Sequence, residues 1–337
     1  MKPIRSRHPF ILILMLVLIL IPALAVLTGC GGPLIRVFPD GDAPLREFTL
    51  EGEGKDKILV IPVDGRLTAV PDRGWVRTRP SAVQRITAQL EKAKKDDAVR
   101  AVLLKIDSPG GTVTASDLLY HEIMTYKEET GNKVTAVFMN LAASGGYYIA
   151  LAADRIMAHP TSVTGSVGVI FMRPGVSGFM EKVGLDMRLN KSGKNKDMLS
   201  PFREATPEEN RMLQDLVNRL AQRFFDLVKK HRNPTAAQFD GIASARIFLA
   251  PDALALGLID EIGYLSDAVD RTRAMAGLAD DARVIVYRRN EYADDTLYNS
   301  RTDGPPPHPL TGLVPGPLRL SSTPGFYYLW PAAIGNE

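Results

Sequence analysis

Residues 99–139 read VRAVLLKIDSPGGTVTASDLLYHEIMTYKEETGNKVTAVFM. Two apolar runs, VRAVLLKID (99–107) and KVTAVFM (133–139), flank the helical stretch ASDLLYHEIMTYKEET. Neither run alternates cleanly with polar residues, as expected of strands covered on both faces. A strand, a crossover helix and a second strand in one stretch imply parallel pairing, because an antiparallel pair needs only a short turn. Working outward, KILVIPVDG (57–65) predicts another buried strand and SAVQRITAQLEKAKKD (81–96) an amphipathic helix capped by Ser81. Downstream, RIMAH (155–159) and SVGVIF (166–171) read as short strands, with a helix near Gly178–Val183. A long helix starts at Thr206-Pro207-Glu208-Glu209, where a capping threonine, a first-turn proline and two acids coincide, and it runs to about Arg232. Two more helices surround LGLIDEIG, and ARVIVYRR (282–289) reads as a last strand. The class is α/β, with parallel β-strands and crossover helices, and no internal repeat is present.

The chain has 337 residues, 45% hydrophobic and 23% charged, which is ordinary globular composition. Its 41 basic and 38 acidic residues leave a net charge of +3, too small an excess to argue for a nucleic-acid partner. No phosphate-cradling G-x-x-x-x-G-K-[ST], no H-E-x-x-H and no Cys/His cluster occurs, so nothing supports a nucleotide or zinc enzyme.

Lys2, Arg5 and Arg7 precede an unbroken apolar run from Phe10 to Leu27. A basic region followed by an apolar core reads as a secretory signal or an uncleaved membrane anchor. Leu27-Thr28-Gly29-Cys30 resembles the bacterial lipoprotein signal, which implies residues 1–29 as a lipoprotein-type signal peptide and lipidation at Cys30. Cys30 is also the single cysteine, so no intramolecular disulfide is possible. The alternative is a transmembrane anchor with an incidental cysteine. Either way the rest of the chain is expected outside the cytoplasm, tethered to the membrane of a bacterial envelope. Residues 30–56, rich in Gly, Pro and acid, read as a tether. Residues 291–337 are Pro/Gly-rich and read as a C-terminal tail, whose FYYLW cluster is apolar enough to dock on something.

The chemistry-bearing candidate is a serine. Ala142-Ala143-Ser144-Gly145-Gly146 has the small-x-Ser-x-small shape of a nucleophile elbow, with Ala in the first place instead of Gly. Such a turn projects the hydroxyl and aims the Gly145 N–H at a substrate carbonyl; the plain alternative is a closely packed helix start. Asp107-Ser108-Pro109-Gly110-Gly111 is a second glycine-lined turn at a strand end, where bare N–H groups could serve an oxyanion. A serine nucleophile needs a base. Of His8, His121, His159, His231 and His308, none is an obvious partner. Lys191, Lys194 and Lys196 lie in the polar segment LNKSGKNKDMLSP (189–201), which otherwise reads as a solvated basic turn. A lysine serves as base only when its pKa falls from about 10.4 toward roughly 7–8.

The motifs DSPGG, MNLAASGGYYIA, TGSVGV and KSGKNKD, in this order and spacing, resemble peptidase family S49, the protease IV or signal peptide peptidase A family, over about residues 57–290. That resemblance implies a ClpP/crotonase-like fold and peptide hydrolysis by a Ser–Lys dyad, without metal or cofactor. Carried over by motif, Ser144 is the nucleophile, Lys196 the general base and Ser166 the residue that orients the lysine. Gly111 and Gly145 supply the oxyanion-hole N–H groups, and Lys191 and Lys194 are cationic neighbours that would favour a neutral base. One copy of each motif implies the short form, a ring-shaped homo-oligomer, typically an octamer, with Ser and Lys of one site from adjacent protomers. The implied substrates are extended peptides, including cleaved signal peptides left in the membrane. Two other readings share these features: a crotonase-like acyl-CoA enzyme, and a non-catalytic lipoprotein scaffold.

Overall fold

The computed structural model describes residues 44–73, 78–289, 292, 295–299 and 325–329. The signal-like segment 1–29 and Cys30 lie outside the described residues. Among the described residues no helix is long and apolar enough to cross a membrane.

In chain order the strands are β1 (Arg46–Glu51), β2 (Lys57–Asp64), β3 (Asp72–Arg73), β4 (Thr78–Arg79), β5 (Val99–Ser108), β6 (Gly110–Thr112) and β7 (Lys133–Ala143). There follow β8 (Arg155–Ala158), β9 (Val163–Gly165), β10 (Ile170–Met172), β11 (Ile247–Leu249), β12 (Glu261–Ile262), β13 (Arg283–Arg288) and β14 (Gly325–Leu329). The main sheet has the order β1-β13-β2-β5-β7-β8-β12. It is parallel from β13 to β12, with β1 antiparallel at one edge.

The uninterrupted apolar runs are explained by two covered faces. Leu59, Ile61, Val102 and Leu104 pack with Ile86 and Leu90 of the helix Ala82–Ala93 and with Leu119 and Ile123 of the helix Val113–Thr130. Their sheet neighbours Ile58, Val60, Ala101 and Leu103 point the other way, onto Leu265, Ala268 and Val269 of the helix Leu265–Ala276. Helix ends follow the caps. Ser81 and Gln84 form a capping box, as do Thr206 and Glu209 at the start of the helix Pro207–Arg232. Gly131, with φ 71°, ends the helix Val113–Thr130 in the left-handed conformation that glycine adopts freely.

The eleven-residue β7 changes partner along its length. Thr135–Phe138 pair with β8, whereas Leu141–Ala143 pair with β9. Against β5 the register also shifts, from Ile106↔Phe138 to Ser108↔Ala142. The Asp107 carboxylate accepts the Leu141 N–H at 3.0 Å across that irregularity, so the displaced amide is not orphaned.

Three expectations need correction. Residues 30–56 are not tether throughout: β1 pairs with β13, and Phe48 and Leu50 pack against the second core cluster. In REFTLE, apolar and polar residues alternate just long enough for an edge strand. SVGVIF is not one strand, because Ser166 has φ 52° and leaves the ladder after β9; pairing resumes at β10. Finally, the tail 291–337 carries β14, the middle strand of a separate antiparallel sheet ordered β10-β14-β6. Tyr327, Tyr328 and Leu329 are buried there, which is why the apolar cluster is tolerated near the chain end.

Candidate active site

The site is assembled where β5, β7 and β9 end side by side. After β5, the Ser108 hydroxyl donates to Gly65 O at 2.7 Å and accepts the Gly110 N–H at 3.1 Å, which locks the turn. Gly110 has φ 95°, a conformation most side chains avoid. Gly111 is held by its surroundings instead: a Cβ there would fall 1.9 Å from Leu67 O. Leu67 N donates to Gly110 O at 2.9 Å and Thr112 N donates to Leu67 O at 3.0 Å, so Leu67 lies directly alongside the turn.

Past the end of β7, Ser144 adopts φ 53° and ψ −113°. Its N–H donates to Gly165 O at 2.8 Å, and its carbonyl accepts from Tyr148 N at 2.8 Å. Such backbone costs about 1–3 kcal/mol and persists only where the surroundings over-determine it. The small residues beside Ser144 are explained by contact. A Cβ on Gly145 would lie 2.4 Å from Ser116 Oγ and 3.1 Å from both Gly110 Cα and Gly111 N. A Cβ on Gly146 would lie 2.8 Å from Ser108 O. The two glycine-lined turns therefore meet backbone to backbone, with the Gly111 and Gly145 amides as neighbours.

Ser144 is 1% exposed, and its Oγ has no hydrogen-bond partner among the described residues. An unmatched buried hydroxyl costs about 1–3 kcal/mol, so Ser144 is held in a costly environment. Ser166, also buried, stands one residue beyond β9 as Ser144 stands one beyond β7. Among the sequence candidates, the structure thus brings Ser144, Ser166, Gly111 and Gly145 together. It does not bring Lys196 to Ser144 within one protomer.

Lys196 is exposed, in a segment joined to the core at β10 and at the helix Pro207–Arg232. The segment is nevertheless ordered by ion pairs. Asp197, next to Lys196, accepts from Arg203 Nε and Lys191 Nζ, each at 2.7 Å. Arg203 also donates to Glu209 at 2.5 and 2.9 Å, tying the segment to the capping box of the long helix. Arg203 first, then Lys191, holds the Asp197 carboxyl well below the usual carboxylate range. Arg203 and the Thr206 N–H push Glu209 down to about 2. Lys194 pairs with Glu208. Lys191 and Lys194, the cationic neighbours expected beside Lys196, both face carboxylates within this chain. Two of the histidines are engaged elsewhere, His159 Nδ1 at 2.9 Å from Thr161 Oγ1 and His231 Nε2 at 2.7 Å from Tyr120 Oη, while His8 and His308 lie outside the described residues.

Two features were missed or only half seen. Phe179, Val183, Leu185, Met187 and Leu189 are all exposed, and the helix Ser177–Lys182 buries none of its residues. Val183, Leu185, Met187 and Leu189 alternate with Gly184, Asp186 and Arg188 in a strand-like period, yet they form no strand in this chain, and that period went unread. The second feature is that β14 lies against β6, the strand made by Gly110-Gly111-Thr112.

Residues 126–279 match the model of peptidase family S49, and residues 77–164 match that of Clp protease. The first range holds Ser144, Ser166 and Lys196; the second holds both glycine-lined turns. The chain is 36% identical over 251 residues to a protein of Enterococcus faecium bearing the name signal peptide peptidase SppA, covering 74% of this chain and 72% of that one. It is 31% identical over 228 residues to the chloroplastic serine protease SPPA of Arabidopsis thaliana, covering 67% of this chain and 33% of that protein. With protease 4 of Haemophilus influenzae the identity is 29% over 272 residues, 74% of this chain and 44% of the other. The chain therefore spans less than half the length of the latter two.

Proposed function

The chain belongs to peptidase family S49, a serine peptidase of ClpP-like α/β fold, and from that premise we propose that it is a membrane-tethered endopeptidase working through a Ser144–Lys196 dyad. The observation that carries the reading is the buried, unpartnered Ser144 Oγ in a left-handed turn beside the Gly111 and Gly145 amides.

Neutral Lys196 takes the Ser144 proton as Oγ bonds to the peptide carbonyl carbon. The oxyanion is held by the N–H groups of Gly111 and Gly145, where a lost donor typically costs about 10²–10³ in rate. The C–N bond then breaks, and Lys196 delivers its proton to the leaving amine. Water attacks the acyl-enzyme and loses a proton to Lys196, which returns it to Ser144 Oγ as the acyl C–O bond breaks, releasing the carboxylic product, free Ser144 and neutral Lys196. Ser166 orients the lysine, a role supported by its place beside Ser144.

Lys196 reaches Ser144 from an adjacent protomer in a ring, an octamer by the family's pattern. Two observations support this: the buried Ser144 Oγ has no partner among the described residues, and an apolar row from Phe179 to Leu189 is exposed on the segment that carries Lys196. An apolar row of this kind marks a surface that another chain covers. Residues 1–29 direct export, and Cys30 carries the lipid that tethers the protein at the membrane, with the catalytic domain outside the cytoplasm. Substrates are extended peptides, and cleaved signal peptides suit an enzyme held at that surface.

Hydrolysis of a fluorogenic peptide by the full chain, with Ser144→Ala and Lys196→Ala alongside, tests the dyad. Loss of activity in both variants, with assembly intact by light scattering, is the expected result. Activity persisting in Lys196→Ala returns the base to Lys191 or Lys194.

A further inference from the structure

The segment that carries Lys196 is a closed arm. Val176 N donates to Pro201 O at 2.8 Å, which brings the two ends of residues 177–200 together. The Asp197–Arg203–Glu209 ion pairs hold its base. Every residue from Glu181 to Lys196 is exposed, and residues 185–191 take up no regular structure. Leu185, Met187 and Leu189 nevertheless alternate with Asp186 and Arg188, the period of a strand with one apolar face. Asp186 and Arg188 pair with each other at 3.1 Å, with side chains 72% and 94% exposed. The arm thus has the pattern of a strand and no ladder to join within its own chain.

Strand β11 offers a free edge. Among the described residues its one strand partner is β9, in register Ile247↔Gly165, Phe248↔Thr164 and Leu249↔Val163. Ser166 N donates to Arg246 O at 2.8 Å and Ala250 N to Ser162 O at 3.1 Å. By antiparallel alternation, the backbone groups of Ile247 and Leu249 therefore point away from β9. Both side chains are exposed as well. A groove of about 430 Å³ opens beside them, lined also by Arg246, Phe248, Asp252 and Leu256. An open apolar edge of this kind is a template for a further strand.

We propose that residues 185–189 of a second copy of this chain add to β11 as an antiparallel strand, with Leu189 opposite Ile247 and Met187 opposite Leu249. The proposal rests on the shared Ser144–Lys196 site and names the contact that delivers the lysine. Apolar residues then share one face of the ladder. Charge selects the register. Arg188 lies opposite Phe248, beside the groove that holds Asp252, whereas a slip of two residues would set Arg188 against Arg246. Direction and reach agree with this. A strand antiparallel to β11 runs with β9, so its C-terminal end comes to the Ser166 end of the sheet. Ser144 lies three strand positions further, about 14 Å away. The seven residues from Leu189 to Lys196 can span up to about 25 Å.

The test mixes size-tagged full-length chains under mild oxidation, one carrying Ile247→Cys or Leu249→Cys and the other a single substitution in the arm, with linked peptides identified by mass spectrometry. Leu189→Cys is expected to link to Ile247→Cys, and Met187→Cys to Leu249→Cys. Arg188→Cys, on the opposite face, should link to neither. Met187→Pro removes a donor from the added strand and should weaken ring assembly at least about tenfold by mass photometry, with the Tm of the protomer unchanged. Equal linking of Arg188→Cys overturns the strand addition. So do links between two arms, which place arm on arm, and a link within one chain carrying both Leu189→Cys and Ile247→Cys. Active rings that lack the expected links leave the shared site standing and reject this contact. Absence of any ring overturns the shared site and the strand addition together.

Discussion

Ser144 and Ser166 stand side by side, each one residue past the end of the same pair of parallel strands, and each with left-handed backbone, φ 53° and 52°. The last paired residues are Ala143 and Gly165, and Ser144 N donates to Gly165 O. Arg246 O accepts the Ser166 N–H at 2.8 Å, which turns that chain away as well. Two neighbouring residues in costly backbone mean that the sheet end fixes both hydroxyl positions before any substrate arrives.

Ser144→Gly should abolish peptide hydrolysis and at the same time raise thermal stability. Glycine accepts φ 53° without strain, and the buried unmatched hydroxyl disappears. These gains outweigh glycine's extra chain entropy, for a net rise of about 1–2 kcal/mol, or a few degrees in Tm. Scanning calorimetry beside the peptide assay checks it. A lower Tm would remove the inference of strain.

Mixing the two inactive variants tests the shared site. If Ser144 and Lys196 of one site come from different protomers, rings co-assembled from Ser144→Ala and Lys196→Ala chains contain some sites with both groups intact. Random mixing at equal ratio restores about a quarter of the wild-type activity. Co-refolded protein that stays inactive while forming mixed rings, measured by mass photometry of size-tagged chains, rejects the arrangement.

Gly145→Ala should damage both packing and catalysis, and a second substitution should separate them. The new Cβ meets Ser116 Oγ at 2.4 Å and Gly111 N at 3.1 Å. Overpacking of this kind costs about 1–3 kcal/mol. Adding Ser116→Ala removes the closer contact and should return most of the lost Tm. Activity should stay at least about a hundredfold down, because the Cβ still crowds the Gly111 amide. Recovery of both together would mean that the amides are not the oxyanion donors.

Arg203→Met should flatten the acid side of the stability curve. Glu209 is pushed down to about 2 from an ordinary 4.5, first by Arg203. A depressed carboxylate stabilises the fold fully above its ordinary pKa and progressively less as pH falls toward the depressed value. Wild-type Tm should therefore drop between about pH 4.5 and about pH 2 more steeply than that of the variant. Asp197 shifts in the same direction for the same cause. The variant should also lose kcat at neutral pH, since Arg203 ties the Lys196 segment to the long helix. Equal acid slopes would show that the clamp does not couple to folding.

The alternation of apolar runs and amphipathic helices was enough to read the parallel core, because strands such as KILVIPVD are buried on both faces and leave no alternative period. Ser144 and the two glycine-lined turns were legible for a similar reason: only close backbone contact calls for that many small residues together. β1 was obscured, since an edge strand of six residues among Gly, Pro and acids carries only weak alternation. Ser166 hid the break between β9 and β10, because the nearby Val167 and Val169 suit a strand and only the backbone angle shows the turn. The partner of β14 could not be read at all. FYYL has strand character, but its pairing with Gly110–Thr112 is a long-range contact that no local pattern encodes.

The partner exchange within β7 ties the fate of the active turn to that of the core. Thr135–Phe138 are zipped into the centre of the sheet, and the same rigid strand continues to Ala143 beneath Ser144. The turn therefore has no separate opening mode: exposing the amides of Ala142 and Ala143 to solvent means unzipping β5 and β9 from a strand that the core still grips. In hydrogen exchange these amides should fall in the slowest cooperative unit of the molecule, which would place Ser144 on a part of the protein that unfolds late.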